Sequence, residues 1–284
     1  MSTPLYGQRS NPYAAPECPR HPGVRSVDYC KKCNRPMCVD CTVRTEVRSV
    51  CVECANVRRP RVPSGQPVVT YTLIGINVAL FIVSFVLPSV GNWLFFNPAV
   101  GYRQVWRFLT TAFLHSGFMH IAFNMLALYS VGIELEQVLG RTRYLSVYLL
   151  SAIGASLFVL AWVLIQPSSL GTVTVGASGA VFGLFGAMFV LQKQAGMDTR
   201  AVVGLLLVNL LIGFIVPNVS WQGHVGGLAT GALATWIYWR QGRAKPGITA
   251  KKQERQALWI TVGMYVAAIA LIGLTYEVIF EVLG

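Results

Sequence analysis

Apolar stretches recur along the whole chain after residue 67, and short polar or basic segments separate them. Most approach the length of about 20 residues that a helix needs to cross a bilayer. The pattern therefore predicts an all-α polytopic membrane protein. The predicted spans are residues 68–87, 116–135, 144–165, 178–194, 199–216, 223–239 and 258–283.

The segment between the first two spans, residues 88–114, has a different pattern. It is rich in aromatic residues, but proline, glycine and the motif Arg103-Gln-Val-Trp-Arg107 interrupt it. Tryptophan and arginine are common at the membrane–water boundary. We expect a loop that lies in this interface, with Trp106 as an anchor and Arg107 as a clamp of the loop.

Charge distribution predicts the orientation of the chain. Charged residues make up 12% of the sequence, about half the fraction of an average globular protein, and the net charge is +12. Basic residues precede the first span and lie between spans two and three, four and five, and six and seven. By the positive-inside rule the amino terminus is cytoplasmic. We expect a multi-pass protein of a bacterial plasma membrane with no cleavable signal peptide, the lipid bilayer as its surroundings, and no nucleic-acid partner.

All seven cysteines lie before the first span: six form three pairs with two intervening residues, and Cys18 has the same spacing to His21. Zinc binds four nitrogen or sulfur ligands tetrahedrally, and such a pair lets one turn supply two of them. One histidine completes a set of eight ligands, which predicts two structural Zn²⁺ ions. We expect the first and third ligand pairs to bind one ion and the second and fourth pairs to bind the other, an arrangement that resembles B-box-like fingers. The predicted ligands are Cys18, His21, Cys30, Cys33, Cys38, Cys41, Cys51 and Cys54.

Composition divides the chain into segments. We expect a disordered tail at 1–17, a zinc-binding module at 18–54, a basic proline-rich linker at 55–67, a six-helix core at 68–240, a basic linker at 241–257 and a seventh transmembrane helix at 258–284. A module as short as 18–54 has almost no apolar core, so zinc should supply its folding energy.

Four polar residues lie inside the predicted spans, where polar groups are costly and are often functional. His120 and Asn124 share a helix face. Ser178 and His224 each begin a span whose first turns are rich in glycine, so the two helices can approach closely. The plainer interpretation is a packing face of small residues. The outer loops between spans one and six contain no acidic residue to orient a histidine, and Glu277 and Glu281 are interpreted as an ordinary polar helix end. The pattern therefore predicts a Ser–His dyad.

In order and spacing, these motifs resemble the rhomboid family of intramembrane serine proteases. The matching residues cover roughly 70–240: Trp106-Arg107, His115-x4-His120-x3-Asn124, Glu136-x3-Gly140, Gly176-x-Ser178-Gly179 and His224-x-Gly226-Gly227-x3-Gly231. The resemblance implies a six-helix rhomboid core plus one carboxy-terminal helix. It implies Ser178 as nucleophile, His224 as base, and His120, Asn124 and the Ser178 N–H as oxyanion donors. The active site would lie near the outer face, with transmembrane proteins as substrates and no catalytic cofactor.

Some residues depart from this pattern or allow a plainer role. Phe182 stands where many relatives have a tyrosine, so its ring can stack but cannot hydrogen-bond. We expect His115 to be a structural histidine bonded to loop backbone. Glu134 and Glu136 should pair with Arg141 or Arg143.

Two other functions compete with the protease. A catalytically silent rhomboid-like protein would bind transmembrane clients but should lack the serine or the histidine. A transporter would show inverted repeats, which the sequence lacks. The zinc module could regulate activity, recruit a cytoplasmic protein partner or act as a folded anchor, and all three roles stay open.

Overall fold

The computed structural model describes residues 16–44, 48–55, 66–215, 219–243 and 248–283. Most of the predicted tail, most of the 55–67 linker and Pro217 lie outside these residues. The described residues form two compact units. One lies within Met1–Pro60 and Arg240–Ile260, and the other within Arg61–Trp239 and Thr261–Gly284.

The amino-terminal unit contains three two-stranded antiparallel sheets. Its strands are β1 (Glu17–Cys18) with β2 (His21–Arg25), β3 (Asp28–Tyr29) with β4 (Pro36–Met37), and β5 (Thr42–Arg44) with β6 (Ser49–Cys51). Five of the eight buried residues in its core are cysteines; the others are Met37, Val50 and Val52. So little apolar surface cannot hold strands this short, which is consistent with folding around bound cations.

This first unit also includes the start of the last helix. The Ala250 N–H donates to the carbonyl of Arg20, and Arg20 Nη2 donates to Gln253 Oε1 at 2.6 Å. Gln253 Nε2 in turn donates to the carbonyls of Gln241 and Arg243. These contacts explain why the start of α10 belongs to the same compact unit as the cysteine-rich module.

Ten helices occur in the described part of the chain. They are α1 (Val68–Val86), α2 (Pro88–Leu94), α3 (Pro98–Gly101), α4 (Arg107–Thr110), α5 (Phe118–Leu139), α6 (Arg141–Trp162), α7 (Ser178–Gln194), α8 (Arg200–Ile215), α9 (Trp221–Gln241) and α10 (Ala250–Leu283). This confirms the predicted mostly helical architecture with a small amino-terminal module.

Several helix boundaries differ from the prediction. A single residue, Gly140, separates α5 from α6, and its φ of 79° is readily adopted by glycine. Within the predicted 241–257 linker, α10 already begins at Ala250. The reason is composition: alanine, lysine, glutamine, glutamate and arginine all favour helix, so the span extends beyond its apolar part.

Four described helices are long and apolar enough to cross a membrane: α1, α5, α6 and α10. Helix α8 is apolar but shorter. Helix α7 instead has nine buried residues in its first ten. A helix enclosed by other helices has little contact with lipid, so it can be shorter and richer in glycine than a lipid-facing span.

The predicted interfacial loop contains the short helices α2, α3 and α4. Arg107 holds it together, since its Nη1 donates to the carbonyls of Asn92 at 2.9 Å and Phe95 at 2.6 Å. Trp106 Nε1 donates to the Trp93 carbonyl at 3.1 Å. Arg107 thus clamps the loop as the sequence predicted, and Trp106 fastens it as well.

Glu136 forms the predicted ion pair with Arg141, but its main partners are ones that the sequence did not indicate. Its carboxylate accepts hydrogen bonds from the N–H groups of Val69 and Thr70, at 3.0 and 2.8 Å, and from the Thr70 hydroxyl. Arg141 lies farther away, at 3.8 Å. Because the first N–H groups of a helix lack partners within it, Glu136 mainly caps the start of α1.

Candidate active site

Ser178 is the first residue of α7, directly after a sharp turn. Gly176 in that turn has a φ of 135°, which side-chain-bearing residues rarely adopt, and its N–H donates to the Thr111 carbonyl at 3.0 Å. The turn places Ser178 at a helix amino terminus, where unpaired N–H groups favour negative charge. The serine is partly exposed, so a substrate could reach it.

The fourth residue of α9, His224, points at this serine. Its Nε2 lies 3.0 Å from Ser178 Oγ, a hydrogen-bond distance, and the residue is only 6% exposed. The structure therefore brings together the two residues that the sequence singled out as nucleophile and base.

Glycines make this approach possible. A Cβ atom on Gly227 would lie 1.9 Å from the Gly179 carbonyl oxygen, and one on Gly231 would lie 2.2 Å from the Gly183 oxygen. No side chain fits at such distances, so α7 and α9 are in backbone contact over two turns. The packing face of small residues is present, and it is what brings Ser178 close to His224.

The ring of Phe182 lies flat on the His224 imidazole, with 4.0 Å between centroids and an 8° angle between planes. This is the stacking expected of a phenylalanine at that position. On the other side of the imidazole, Nδ1 is buried and has no hydrogen-bond partner among the described residues. Ser178 and His224 thus form a pair without a third residue, since no described carboxylate contacts His224.

His120 and Ser178 border the same small space. A Cβ on Gly176 would lie 2.8 Å from His120 Nε2 and 3.6 Å from Ser178 Oγ, and only glycine leaves this volume open. Ser116 orients the histidine, because its Oγ lies 3.0 Å from His120 Nδ1. Asn124 is placed differently: its Nδ2 donates to the His120 carbonyl of its own helix at 2.9 Å.

The expectation that His115 is bonded to loop backbone is wrong for the described chain. The residue is 9% exposed, and neither ring nitrogen has a hydrogen-bond partner. Its ring instead packs edge-on against His120, with centroids 5.1 Å apart. Burial in an aromatic contact, rather than hydrogen bonding, holds it in place.

Two groups of four potential metal ligands lie in the amino-terminal unit. Cys18, His21, Cys38 and Cys41 form the first, and Cys30, Cys33, Cys51 and Cys54 form the second. Within each group the ligand atoms lie within 4.8 Å of one another. This is the interleaved pairing that the spacing predicted.

The distances within these groups suit a tetrahedral metal ion. Zn–S bonds of about 2.3 Å place two sulfur ligands about 3.8 Å apart, and Cys33 Sγ and Cys51 Sγ are 3.7 Å apart. His21 Nδ1 lies 3.3 Å from both Cys38 Sγ and Cys41 Sγ. Burial and the nearby thiols Cys18 and Cys38 raise the pKa of Cys41, because these thiolates repel one another unless a cation is bound. Both groups could therefore bind metal ions.

One neighbour of the site, Gly213, was not identified from the sequence. It lies in α8, and a Cβ placed on it would be 3.5 Å from His224 Nδ1. The available signal was an isolated glycine inside an apolar helix, which often marks a close approach. That signal does not reveal which neighbour approaches.

Comparison with known proteins agrees with the motifs. Residues 102–241 match the family described as "Rhomboid domain". The chain is 32% identical over 182 residues to "Putative rhomboid protease YdcA" of Bacillus subtilis, covering 60% of this chain and 88% of that protein. It is 27% identical over 213 residues to "Rhomboid protease AarA" of Providencia stuartii, covering 63% and 75%.

Similarity to larger proteins is partial. The chain is 34% identical over 185 residues to "Rhomboid protease GluP" of Bacillus subtilis, covering 60% of this chain but 35% of GluP. It likewise matches 44% of the Arabidopsis thaliana "RHOMBOID-like protein 1". The chain thus spans less than half the length of these two relatives.

Proposed function

The chain belongs to the rhomboid family and is an integral multi-pass membrane protein, and we propose that it is an intramembrane serine endopeptidase. Relatives named as rhomboid proteases support proteolysis. The observation that carries the proposal is the 3.0 Å contact between Ser178 Oγ and His224 Nε2. The substrates would be membrane proteins, cleaved within or next to a transmembrane segment.

The proposed chemistry is acyl transfer to Ser178. His224 Nε2 takes the hydroxyl proton while Oγ attacks the peptide carbonyl carbon, forming a tetrahedral oxyanion. His224 returns the proton to the leaving amine as the C–N bond breaks, leaving an acyl-enzyme. A water molecule then gives its proton to His224 and attacks the ester, and Ser178 recovers its proton as the acid product leaves.

The oxyanion would be held by donors at the start of α7. The Ser178 N–H belongs to the first turn of that helix, and His120 Nε2 borders the same space. The Asn124 amide has a second N–H, besides the one that donates to the His120 carbonyl, with which it could join them. Donors that bind mainly in the transition state raise kcat rather than substrate affinity.

Asn124→Ala is therefore expected to lower kcat by roughly 10²-fold with a smaller change in KM, because the lost interaction forms in the transition state. Steady-state cleavage of a model substrate measures both constants. Asn209→Ala is the matched control, since that side chain also donates to a carbonyl four residues earlier in its helix. An unchanged kcat in Asn124→Ala would assign Asn124 a structural role only.

A catalytically silent, client-binding protein is the second candidate. The Ser178–His224 contact argues against it, because binding alone does not require a nucleophile next to a base. The test is reconstitution of the purified chain in liposomes with a single-span substrate. We expect cleavage near one end of the span, mapped by mass spectrometry, whereas binding without cleavage by the wild-type chain would favour the silent protein.

We further propose that the two ligand groups hold structural zinc in a module at 18–54. Sulfur-rich tetrahedral sets favour Zn²⁺. The positive-inside rule would place this module in the cytoplasm, where a protein partner could bind it, and the protease site near the outer face of a plasma membrane.

Elemental analysis of the purified chain is accordingly expected to find about two zinc ions per chain, since eight ligands fill two tetrahedral sites. The cysteines should resist alkylation until a chelator is added. His21→Ala should selectively weaken the first site, and Tyr29→Ala, an exposed residue of the same module, should not. One zinc per chain would mean that His21 is no ligand, and none with freely reactive cysteines would reject both sites.

A further inference from the structure

Helix α10 lies beyond residues 102–241, the part of the chain that matches the family. From residue 261 onward it belongs to the same compact unit as the Ser–His pair. Three buried residues near its end, Ile272, Tyr276 and Ile279, follow one another at intervals of four and three positions and so share one helix face. That face packs in one apolar cluster with Phe96 and Phe108 of the interfacial loop.

Tyr276 binds the backbone of this loop directly. Its hydroxyl donates to the Pro98 carbonyl at 2.8 Å, and the residue is 6% exposed. Its ring stands edge-on to that of Phe108, with 6.3 Å between centroids. Gly101 leaves room for the hydroxyl, because a Cβ there would lie 2.3 Å from the tyrosine oxygen. Since a buried hydrogen-bonding group is costly to leave unpaired, this bond fixes the loop backbone against α10.

The same stretch of the loop holds the turn that precedes the nucleophile. Phe96, two residues before the carbonyl that Tyr276 binds, exchanges two backbone hydrogen bonds with Thr174, at 3.1 and 2.9 Å. The Thr111 hydroxyl also donates to the Thr174 carbonyl. The Thr111 carbonyl in turn accepts from the Gly176 N–H at 3.0 Å. These hydrogen bonds fasten residues 174–176 to the loop, and the nucleophile follows two residues later.

This turn depends on support from outside itself. Gly176 has a φ of 135°, and glycine rotates more freely than any other residue, so its neighbours must fix its conformation. Ser178 begins α7 directly after the turn, and its Oγ must stay within reach of His224 Nε2. A displacement of about 1 Å at a reacting group can lower the rate about 10²-fold.

We propose that Tyr276 is a positioning residue for the nucleophile. By holding the interfacial loop at Pro98, it holds the turn from which Ser178 begins α7. Helix α10 is then part of the support of the active site, in addition to being a membrane span. The inference rests on the proposed protease function and identifies a residue outside the matched region on which that function depends.

Tyr276→Phe tests this proposal because it removes one oxygen atom and keeps the ring. We expect the rate at which a fluorophosphonate probe labels Ser178, and kcat for a single-span substrate, each to fall about 3- to 10-fold. KM should change little, because a buried hydroxyl is out of reach of the substrate. Thr275→Val is the matched control on α10, since the Thr275 hydroxyl donates to the Leu271 carbonyl of its own helix. Its labelling rate and kcat should equal the wild type.

A double variant tests whether the effect passes through the turn. Thr111→Val removes the hydroxyl that holds the Thr174 carbonyl, so it should slow the labelling of Ser178 by itself. If Tyr276 acts on the same turn, the loss in Tyr276→Phe/Thr111→Val should be smaller than the product of the two single losses. Losses that multiply would mean that Tyr276 acts independently of the turn, and an unchanged rate in Thr111→Val would mean that the turn does not need the loop. Either result overturns the proposal.

Thermal unfolding of each variant separates positioning from stability alone. All rates are measured well below the unfolding temperature of the least stable variant. A lower unfolding temperature in Tyr276→Phe, with labelling and kcat at the wild-type values, would mean that the hydroxyl only stabilises the fold and would overturn the proposal. A wild-type chain that neither reacts with the probe nor cleaves the substrate would instead count against the protease function.

Discussion

Ser178→Ala and His224→Ala are each expected to lower kcat by about 10⁴- to 10⁶-fold, because a nucleophile and its base act as one unit. The Ser178 hydroxyl and His224 Nε2 are 3.0 Å apart, with the histidine buried and the serine partly exposed. The double variant should lose little more than either single variant, since each removal already disables the same step.

The measurement is cleavage of a single-span substrate in proteoliposomes, with thermal unfolding recorded for each variant. Ser130→Ala is a suitable control because that exposed hydroxyl only donates to the Leu126 carbonyl. Its activity should equal the wild type. Substantial cleavage by either dyad variant, with the fold intact, would mean that another group performs the chemistry.

Gly227→Ala is expected to produce the second large effect, on both stability and activity. Its new methyl group would lie 1.9 Å from the Gly179 carbonyl oxygen, and backbone cannot rotate away as a side chain does. Overpacking of this kind typically costs about 1–3 kcal/mol. Because α9 must move away from α7, the Ser178–His224 contact should open, and a shift of about 1 Å can lower the rate about 10²-fold.

Two other glycines serve as matched controls. A Cβ on Gly204 of α8 or Gly273 of α10 meets no heavy atom within 4 Å. Alanine there should leave activity unchanged and add up to about 1 kcal/mol of stability, because glycine is a poor helix former. If Gly227→Ala unfolded at the same temperature as these controls and kept full activity, backbone contact between α7 and α9 would not position the pair.

Much of this arrangement could be predicted from local sequence signals. Paired cysteines predicted two ligand groups because the spacing of chelating residues is a local property. Ser178 and His224 could be paired because each stands at the start of an apolar helix whose first turns are rich in glycine. The departure at Phe182 correctly predicted a ring that stacks without hydrogen-bonding, since an aromatic one turn after the serine faces the same neighbour.

What the sequence missed or mispredicted concerns contacts that local patterns do not show. The first turn of α1 lies 66 residues from Glu136 in sequence, and no local pattern shows that its N–H groups need this carboxylate. His115 was expected to be hydrogen-bonded because buried polar side chains usually are. Its ring nitrogens have no hydrogen-bond partner among the described residues, so that expectation was wrong. Likewise, only the packing of α8 on α9 shows that Gly213 adjoins the base. Sequence periodicity indicates which helix face is buried but not which neighbour buries it.

Labelling with a fluorophosphonate serine probe tests the dyad most directly, because it reports activation of one hydroxyl without requiring a known substrate. The probe should modify the native chain once, and peptide mass spectrometry should locate the adduct on Ser178. Ser178→Ala should remain unlabelled, and His224→Ala should react far more slowly, since the hydroxyl loses its base. An adduct on another residue, or equal labelling of Ser178→Ala and the wild type, would contradict the proposed nucleophile.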